Sequence, residues 1–282
     1  MDLAGYQIDL VEAGRVRLDG GAMFGIVPKP LWERRIPPDD RNRIPLAMRC
    51  LLLRGHDRTI LVDTGVGDKG DAKFEDIYGV DHEHSTLLGS LEALGVAPED
   101  VTDVLLTHLH FDHAGGATRR TEAGDLVLTF PEAAHHVQAD HWRWAHASPR
   151  ESASFLSDNL DPLEASGRLH LLEPTDSPFE NVTLPVVNGH TRGQQLAQVS
   201  DGERTLLFAG DLVPTAAHVP LLWVMAYDVE PLETIEEKRR LLASAAREGW
   251  TLVFEHDPVI ATARVVETEK GFRTTDESEG LH

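Results

Sequence analysis

The first third of the chain alternates between apolar and polar positions, a two-residue period that is typical of half-buried β-strands. This period predicts short strands over residues 6–11 and 16–18. Residues 48–53 and 59–62 show the same period on either side of Gly55-His56-Asp57, a sequence that favours a turn. The pattern therefore predicts a β-hairpin over residues 48–62.

Apolar positions return with the helical period in two other places. The leucines of residues 85–94 share one face of a predicted helix, and Gly95 is a suitable stop. Residues 232–247 predict the longest helix, because their apolar positions recur among charged ones. Short apolar runs at residues 101–107 and 251–254 predict buried strands instead.

The middle of the chain shows a mixed pattern without a linker that would separate two domains. Strands are predicted over residues 125–130, 182–187, 194–200 and 205–209, and helices over residues 131–146 and 152–166. We therefore expect one domain over residues 1–265. The polar residues 266–282 predict a frayed C-terminal tail.

Charge and composition narrow the class of protein. The net charge is −21, from 47 acidic and 26 basic residues, which disfavours nucleic acid as a partner because phosphate binding needs clustered Lys and Arg. The longest apolar run, residues 219–227, is too short to span a membrane. A single cysteine, Cys50, and an N-terminus without the pattern of a secretory signal predict a cytoplasmic protein.

Seven His and Asp side chains, each predicted to follow a strand, have the chemistry of metal ligands. The densest cluster, residues 107–116, places three imidazoles and one carboxylate directly after the buried strand predicted at residues 101–107. The candidate ligands are His108, His110, Asp112, His113, His190, Asp211 and His256. This set is larger than one ion requires, so the sequence predicts two divalent ions.

The spacing inside the main cluster suits two neighbouring ions. His108 and His110 are two residues apart, so in an extended segment their side chains project the same way and can grip one ion. Asp112 and His113 follow after the chain begins to turn and can face a second ion. Glycines 115 and 116 are expected to allow a sharp backbone turn. Imidazole and carboxylate ligands without a thiolate favour Zn, with Mn, Fe or Co also compatible.

The segment from Thr107 to Gly116 resembles the signature of the metallo-β-lactamase-fold hydrolase superfamily, and the order of the later ligands extends the resemblance over residues 45–260. It implies an α+β fold, a four-layered αβ/βα sandwich with the metals at one edge. Carried over by position, the resemblance implies one ion on His108, His110 and His190, a second on Asp112, His113 and His256, and Asp211 between them. Asp63 resembles the family's residue behind the ligand loop, and a turn-forming role for it stays open.

One segment departs from the family pattern. Many relatives read Pro-Gly-His-Thr-Pro-Gly-His around the fourth histidine, whereas this chain reads Asn-Gly-His-Thr-Arg-Gly-Gln over residues 188–194. His190 is retained. Arg192 removes the backbone restraint of a proline and adds a charge near the predicted site, so loop rigidity and substrate fit are expected to differ.

The resemblance implies a hydrolase in which a hydroxide shared by two metal ions attacks an ester-like bond. Asp211 would orient the hydroxide, and Asp112 would relay a proton to the leaving group. The segments at residues 20–25 and 209–213 resemble the branch that holds lactonases and organophosphate hydrolases, so a lactone or a phosphotriester is the expected substrate.

Two apolar segments, residues 22–32 and 219–227, are candidates for a substrate pocket and equally for core packing. The pocket candidates are Phe24, His218, Trp223 and Tyr227, and Met23 and Trp32 are candidates on the same footing as Phe24. Three other functions stay open: a thioesterase of the glyoxalase II type, an iron-dependent redox relative, and a non-enzymatic ligand sensor. A small-molecule ester is the expected partner, without nucleic acid or membrane, and a homodimer is the expected assembly because twofold dimers are the commonest oligomers.

Overall fold

The computed structural model describes residues 1–281. In chain order the strands are β1 (Asp2–Leu3), β2 (Tyr6–Asp19), β3 (Arg43–Gly55), β4 (Arg58–Val62), β5 (Asp103–Leu105), β6 (Thr118–Arg120), β7 (Leu126–Leu128), β8 (Ala134–Gln138), β9 (Leu169–Leu172), β10 (Val182–Thr183), β11 (Val186–Val187), β12 (Gln194–Gln195), β13 (Ala197–Ser200), β14 (Thr205–Phe208), β15 (Thr251–Val253), β16 (Thr262–Thr268) and β17 (Gly271–Ser278). The helices are α1 (Gly20–Phe24), α2 (Lys29–Trp32), α3 (Ala72–Tyr78), α4 (Leu87–Ala93), α5 (Phe111–Ala114), α6 (Ala139–Ala145), α7 (Ser157–Ala165) and α8 (Pro231–Glu248).

Two mixed sheets form the centre of the molecule. The first has the order β1-β2-β3-β4-β5-β8-β9, and the second has the order β10-β13-β14-β15-β16-β17. Strands β4, β5, β8 and β9 run parallel to one another, as do β14 and β15. The carboxyl ends of parallel strands meet at one edge of a sheet, so the loops that leave them are brought together there.

Burial on both faces of each sheet produces the four layers. On β3, Leu51 and Leu53 pack towards the second sheet, while Cys50 and Leu52 pack towards the helices of the first. On β14, Phe208 faces the first sheet and Leu207 faces the helix α8 side. Alternate strand residues thus fill a central sheet–sheet layer and two outer helix–sheet layers. The predicted four-layered αβ/βα sandwich is confirmed.

Several predicted elements differ from the structure. The strands predicted over residues 6–11 and 16–18 are one continuous strand, β2, with a register shift between Glu12 and Arg15. The helix predicted over residues 131–146 is wrong in its first half, where β8 occupies the centre of the first sheet between β5 and β9. Pairing on both sides fixes β8 as a strand, and tertiary contacts of this kind override local propensity.

The predicted frayed tail is also wrong over most of its length. Strand β16 continues through residue 265 to Thr268, and β17 returns beside it as the edge strand of the second sheet. The tail is polar because only one of its faces packs; Phe272 is buried against the helix α8 side. Residue 282, the last of the predicted tail, lies outside the described residues. Within residues 1–281 no helix is long and apolar enough to cross a lipid bilayer.

Candidate metal centre

The predicted ligands lie where strands of both sheets end. The loop after β5 carries His108 and His110, and helix α5 carries Asp112 and His113. His190 lies between β11 and β12, Asp211 follows β14, and His256 follows β15. Each of these side chains is at least nine-tenths buried. The structure therefore brings all seven predicted ligands to one edge of the sandwich.

Three of the imidazoles form a first group. His108 Nε2 lies 3.0 Å from His110 Nδ1, and that nitrogen lies 3.2 Å from His190 Nε2. The three nitrogens are close enough to surround a single cation. His108 and His110 project the same way, as their spacing predicted.

Asp112, His113 and His256 form a second group beside the first. His113 Nε2 lies 3.1 Å from His256 Nε2, and Asp112 Oδ2 lies 3.7 Å from the same His256 nitrogen. These three ligand atoms also fall within the distance at which one cation can be shared. The turn of α5 therefore directs its two ligands away from the first group.

Asp211 lies between the two groups. Its Oδ2 is 3.2 Å from His190 Nε2 in the first group, and its Oδ1 is 3.2 Å from His256 Nε2 in the second. Oδ1 has no hydrogen-bond partner among the described residues although it is buried. A buried oxygen without a partner is costly, so this atom is suited to bind an ion.

Each of the five histidines has an oxygen behind it that accepts a hydrogen bond from the N–H of its outer ring nitrogen. The pairs are His108 Nδ1 with Thr107 Oγ1 (3.0 Å), His110 Nε2 with Glu151 Oε1 (3.0 Å), His113 Nδ1 with Asp63 Oδ2 (3.1 Å), His190 Nδ1 with Asp228 Oδ1 (3.0 Å) and His256 Nδ1 with the Ala47 carbonyl (2.8 Å). The hydroxyl of Thr107 itself donates to Asp63, so its oxygen accepts from His108. In a neutral ring one nitrogen carries the proton and the other a lone pair.

When the rings are neutral, the inner nitrogens carry lone pairs that face one another across 3.0–3.2 Å. Facing lone pairs repel unless a cation lies between them. Outer-nitrogen partners of this kind are typical of metal-binding histidines, because they fix the tautomer and the ring orientation. The donor set, five imidazoles and two carboxylates, fits two divalent ions such as zinc.

The pKa values of the ligands reflect the same need for positive charge. Burial opposes protonation of His256, yet neighbouring Asp211 and Glu255 raise its pKa to about 9. Burial likewise opposes ionisation of Asp211, but His256, His113 and His190 hold its pKa well below its usual range. In the metal-free chain, protons on the imidazoles thus balance the buried carboxylates where cations would otherwise do so.

The double glycine after the ligand helix serves close packing more than turning. A β-carbon on Gly115 would lie 2.1 Å from the Val66 carbonyl oxygen, and one on Gly116 would lie 2.2 Å from the Thr64 carbonyl oxygen. Neither glycine has a positive φ. The expectation of a sharp turn is therefore replaced by a close approach of two backbone segments.

Several supporting residues were not identified from the sequence. Glu151 accepts from His110 and also from the Trp144 indole and the Ser148 hydroxyl. Asp228 holds His190 through Oδ1 and accepts from the Met225 backbone through Oδ2. Both carboxylates come from loops, where an acidic residue carries no distinctive sequence pattern.

Two further residues brace the loop that carries His190. Glu237 of helix α8 accepts from the backbone amides of residues 188 and 189 at 2.7 and 3.0 Å. His141 accepts from the Leu109 amide and donates to the Arg192 carbonyl, which links this loop to the main cluster. The Arg192 side chain itself is 58% exposed beside Asp140. The charge expected near the site therefore lies at the surface.

A cavity of about 290 Å³ opens onto the ligands His110, Asp112, His190, Asp211 and His256. Tyr227 lines it, as predicted. Phe24, His218 and Trp223 do not line the cavity, because their rings pack on one another. Phe24 is stacked between His218 and Trp32 in the core, and Trp223 packs edge-on against Phe24. Of the other two candidates, Met23 lines the wall and Trp32 does not; Met225, next but one to Trp223, lines it as well.

Residues 45–256, three quarters of the chain, match the sequence profile of the metallo-beta-lactamase superfamily. The chain belongs to this superfamily. The resemblance carried by residues 107–116 is thereby confirmed.

Individual relatives agree with that membership. A probable metallo-hydrolase of Mycobacterium tuberculosis is 29% identical over 67% of this chain, and the match spans 66% of that protein's own length. A probable metal-dependent hydrolase from Staphylococcus aureus has a solved structure that is 30% identical, with a TM-score of 0.88 over 98% of this chain and 99% of that one. AidC, a dizinc quorum-quenching lactonase solved with its product N-hexanoyl-L-homoserine, shares the fold at 19% identity, with a TM-score of 0.80 over 99% of this chain and 96% of that one.

Proposed function

We propose that the protein is a metal-dependent hydrolase that cleaves an ester-like bond, with a lactone or a phosphotriester as substrate. The observation that carries the proposal is the set of inner nitrogen lone pairs and Asp211 oxygens that converge at the floor of an open cavity. Two divalent ions bound there supply the chemistry of the family, since they activate water and polarise the oxygen of the electrophile.

The chain's own residues have separate tasks in this proposal. Asp211 reaches both ligand groups and holds them in register, while Asp112 faces the cavity and is available to take the proton of the attacking water. The same carboxyl group then gives the proton to the leaving oxygen. Tyr227 also faces the cavity, and burial holds its pKa well above its usual range. Its hydroxyl therefore stays protonated and donates to a carbonyl or phosphoryl oxygen of the substrate.

The cavity supports a small substrate with an apolar arm. Leu18, Met23, Phe111 and Met225 line one part of it, and the ligands line another. This combination suits an acyl lactone and also suits an aryl phosphotriester. AidC, a lactonase, was solved with the ring-opened product N-hexanoyl-L-homoserine in its structure.

The proposal is tested by measuring metal content and kcat/KM on one zinc- or manganese-loaded preparation. The panel is a medium-chain acyl-homoserine lactone, an aryl phosphotriester and a thioester. We expect Asp211→Asn to lose at least one ion and most of the activity, whereas Asp57→Asn, which changes an exposed turn carboxylate, keeps both. A fully active Asp211→Asn protein with two ions would contradict the scheme.

A further inference from the structure

The cavity above the metal ligands carries one permanent cation. Arg150 is the only Arg or Lys among the residues that line it. An arginine side chain is always charged, and here no carboxylate oxygen of residues 1–281 lies within 4.0 Å of the guanidinium. The cavity thus holds a positive charge that no neighbouring carboxylate pairs with, in a chain with a net charge of −21.

Arg150 is exposed at the cavity, where its guanidinium is anchored by a backbone hydrogen bond and keeps free donors. Its Nη2 donates to the Ala226 carbonyl at 2.8 Å and approaches the Asp228 carbonyl at 3.5 Å. Nε and Nη1 make no hydrogen bond to any residue in the described part of the chain, which leaves three N–H groups. A cation held by backbone carbonyls loses little side-chain freedom when a ligand binds, so it is prepared for recognition.

A free hydroxyl lies in the same cavity. Ser154 is half-buried and lines the cavity four residues after Arg150, and only its backbone amide is engaged, with the Glu151 carbonyl. Glu151 forms no ion pair with the arginine, and its two oxygens accept from His110, Trp144 and Ser148 instead. The part of the cavity around Arg150 and Ser154 thus offers N–H donors and a hydroxyl, while the carboxylates of Asp112 and Asp211 lie among the candidate metal ligands.

We propose that Arg150 and Ser154 bind a carboxylate on the substrate, so that the preferred substrate is an ester or lactone with an acidic group on one arm and an apolar group on the other. The inference rests on the proposed hydrolase function and specifies its substrate class. The apolar wall of the cavity contacts the hydrocarbon part of the substrate, and the guanidinium of Arg150 binds the carboxylate through charge-assisted hydrogen bonds.

The test compares two matched ligand pairs. N-phenyladipamic acid and its methyl ester are amides that report binding without turnover by titration calorimetry on the metal-loaded protein. The 4-nitrophenyl monoester of adipic acid and its methyl ester report hydrolysis. We expect the wild type to bind the acid about 10-fold more tightly than its methyl ester, the size of one hydrogen bond to a charged group. We expect Arg150→Gln to lose this preference while its affinity for the methyl ester stays within about 2-fold.

Two further variants separate recognition from loop structure. Arg150→Lys keeps the charge and is expected to retain part of the preference, and Arg247→Gln, an exposed arginine on helix α8, is expected to retain all of it. If Arg150→Gln weakens acid and methyl ester equally, Arg150 only holds the loop at residues 226–228 and the inference is overturned. A wild type without any preference overturns it as well. Failure to hydrolyse either nitrophenyl ester contradicts the proposed function, while the binding pair still decides the role of Arg150.

Discussion

Replacing Gly116 with alanine should damage the metal centre without touching a ligand. The added β-carbon would lie 2.2 Å from the Thr64 carbonyl oxygen, 2.9 Å from Leu87 Cδ2 and 3.1 Å from the Thr64 carbonyl carbon. Ordinary contacts begin near 3.4 Å. One backbone segment must therefore move by roughly 1 Å, since interiors of this density cannot absorb the overlap otherwise.

The segment that must move also supports a predicted ligand. The Thr64 backbone and hydroxyl both donate to the His113 carbonyl, at 2.8 and 2.7 Å, and the Gly116 amide donates to the Gly65 carbonyl at 2.9 Å. Overpacking of this kind costs about 1–3 kcal/mol. For a chain of this size we expect Tm to fall by roughly 2–4 °C for each kcal/mol. We also expect weaker binding of the ion that His113 holds.

Thermal unfolding in the metal-loaded and chelator-treated states is the assay, with metal content measured on the same samples. Gly280→Ala is the matched control, because its β-carbon would meet nothing within 4 Å and its φ is not positive. We expect the control to match the wild type. A Gly116→Ala protein with wild-type Tm and two ions would refute the argument from close approach.

The structure also predicts the outcome of three other experiments. Asp228→Asn should weaken metal binding about 10- to 100-fold in a chelator competition, because Asp228 orients His190; unchanged affinity would contradict this. Burial lowers the pKa of Lys238 to about 7, so between pH 7 and 10 the unfolded chain holds a proton that the folded chain has released, and stability rises with pH. Between pH 7 and pH 9 the free energy of unfolding of the wild type, measured in urea, should rise by roughly 2 kcal/mol relative to that of Lys238→Met. The same pH dependence of the unfolding free energy in both proteins would refute this prediction. Burial raises the pKa of the Cys50 thiol well above its usual range, so a thiol reagent should modify it only after unfolding.

The sequence located the candidate metal ligands because their signal is local. His108 to His113 lie within one short segment, and each later ligand follows an apolar run that became a strand. The outer partners could not be found in this way, since they meet the ligands only in the folded chain. Glu151 lies 41 residues from His110, and Asp228 lies 38 residues from His190.

The errors in the secondary structure have a similar origin. Strand β8 reads as part of a helix because two adjacent histidines interrupt its apolar alternation, and both are buried by contacts with neighbouring strands and loops. At α1 the sequence offered both Met23 and Phe24 for the cavity wall and could not choose between them. Met23 faces the cavity and Phe24 the core, a difference that depends on how the short helix is rotated rather than on hydrophobicity.

The hydrogen bonds between Ala47 and His256 determine when the second group of candidate ligands can be completed during protein synthesis. The backbone amide of Ala47 donates to the His256 carbonyl, and the Ala47 carbonyl accepts from the imidazole of the same residue, 209 positions later in the chain. A ribosome releases the N-terminal hairpin long before it releases β15, so the nascent chain has no complete pocket for a second ion. A second ion at the candidate site could therefore enter only after the segments of Ala47 and His256 have met. Once bound, it fastens the first sheet to the second, and its removal should let this edge of the sandwich open more often than the rest of the molecule.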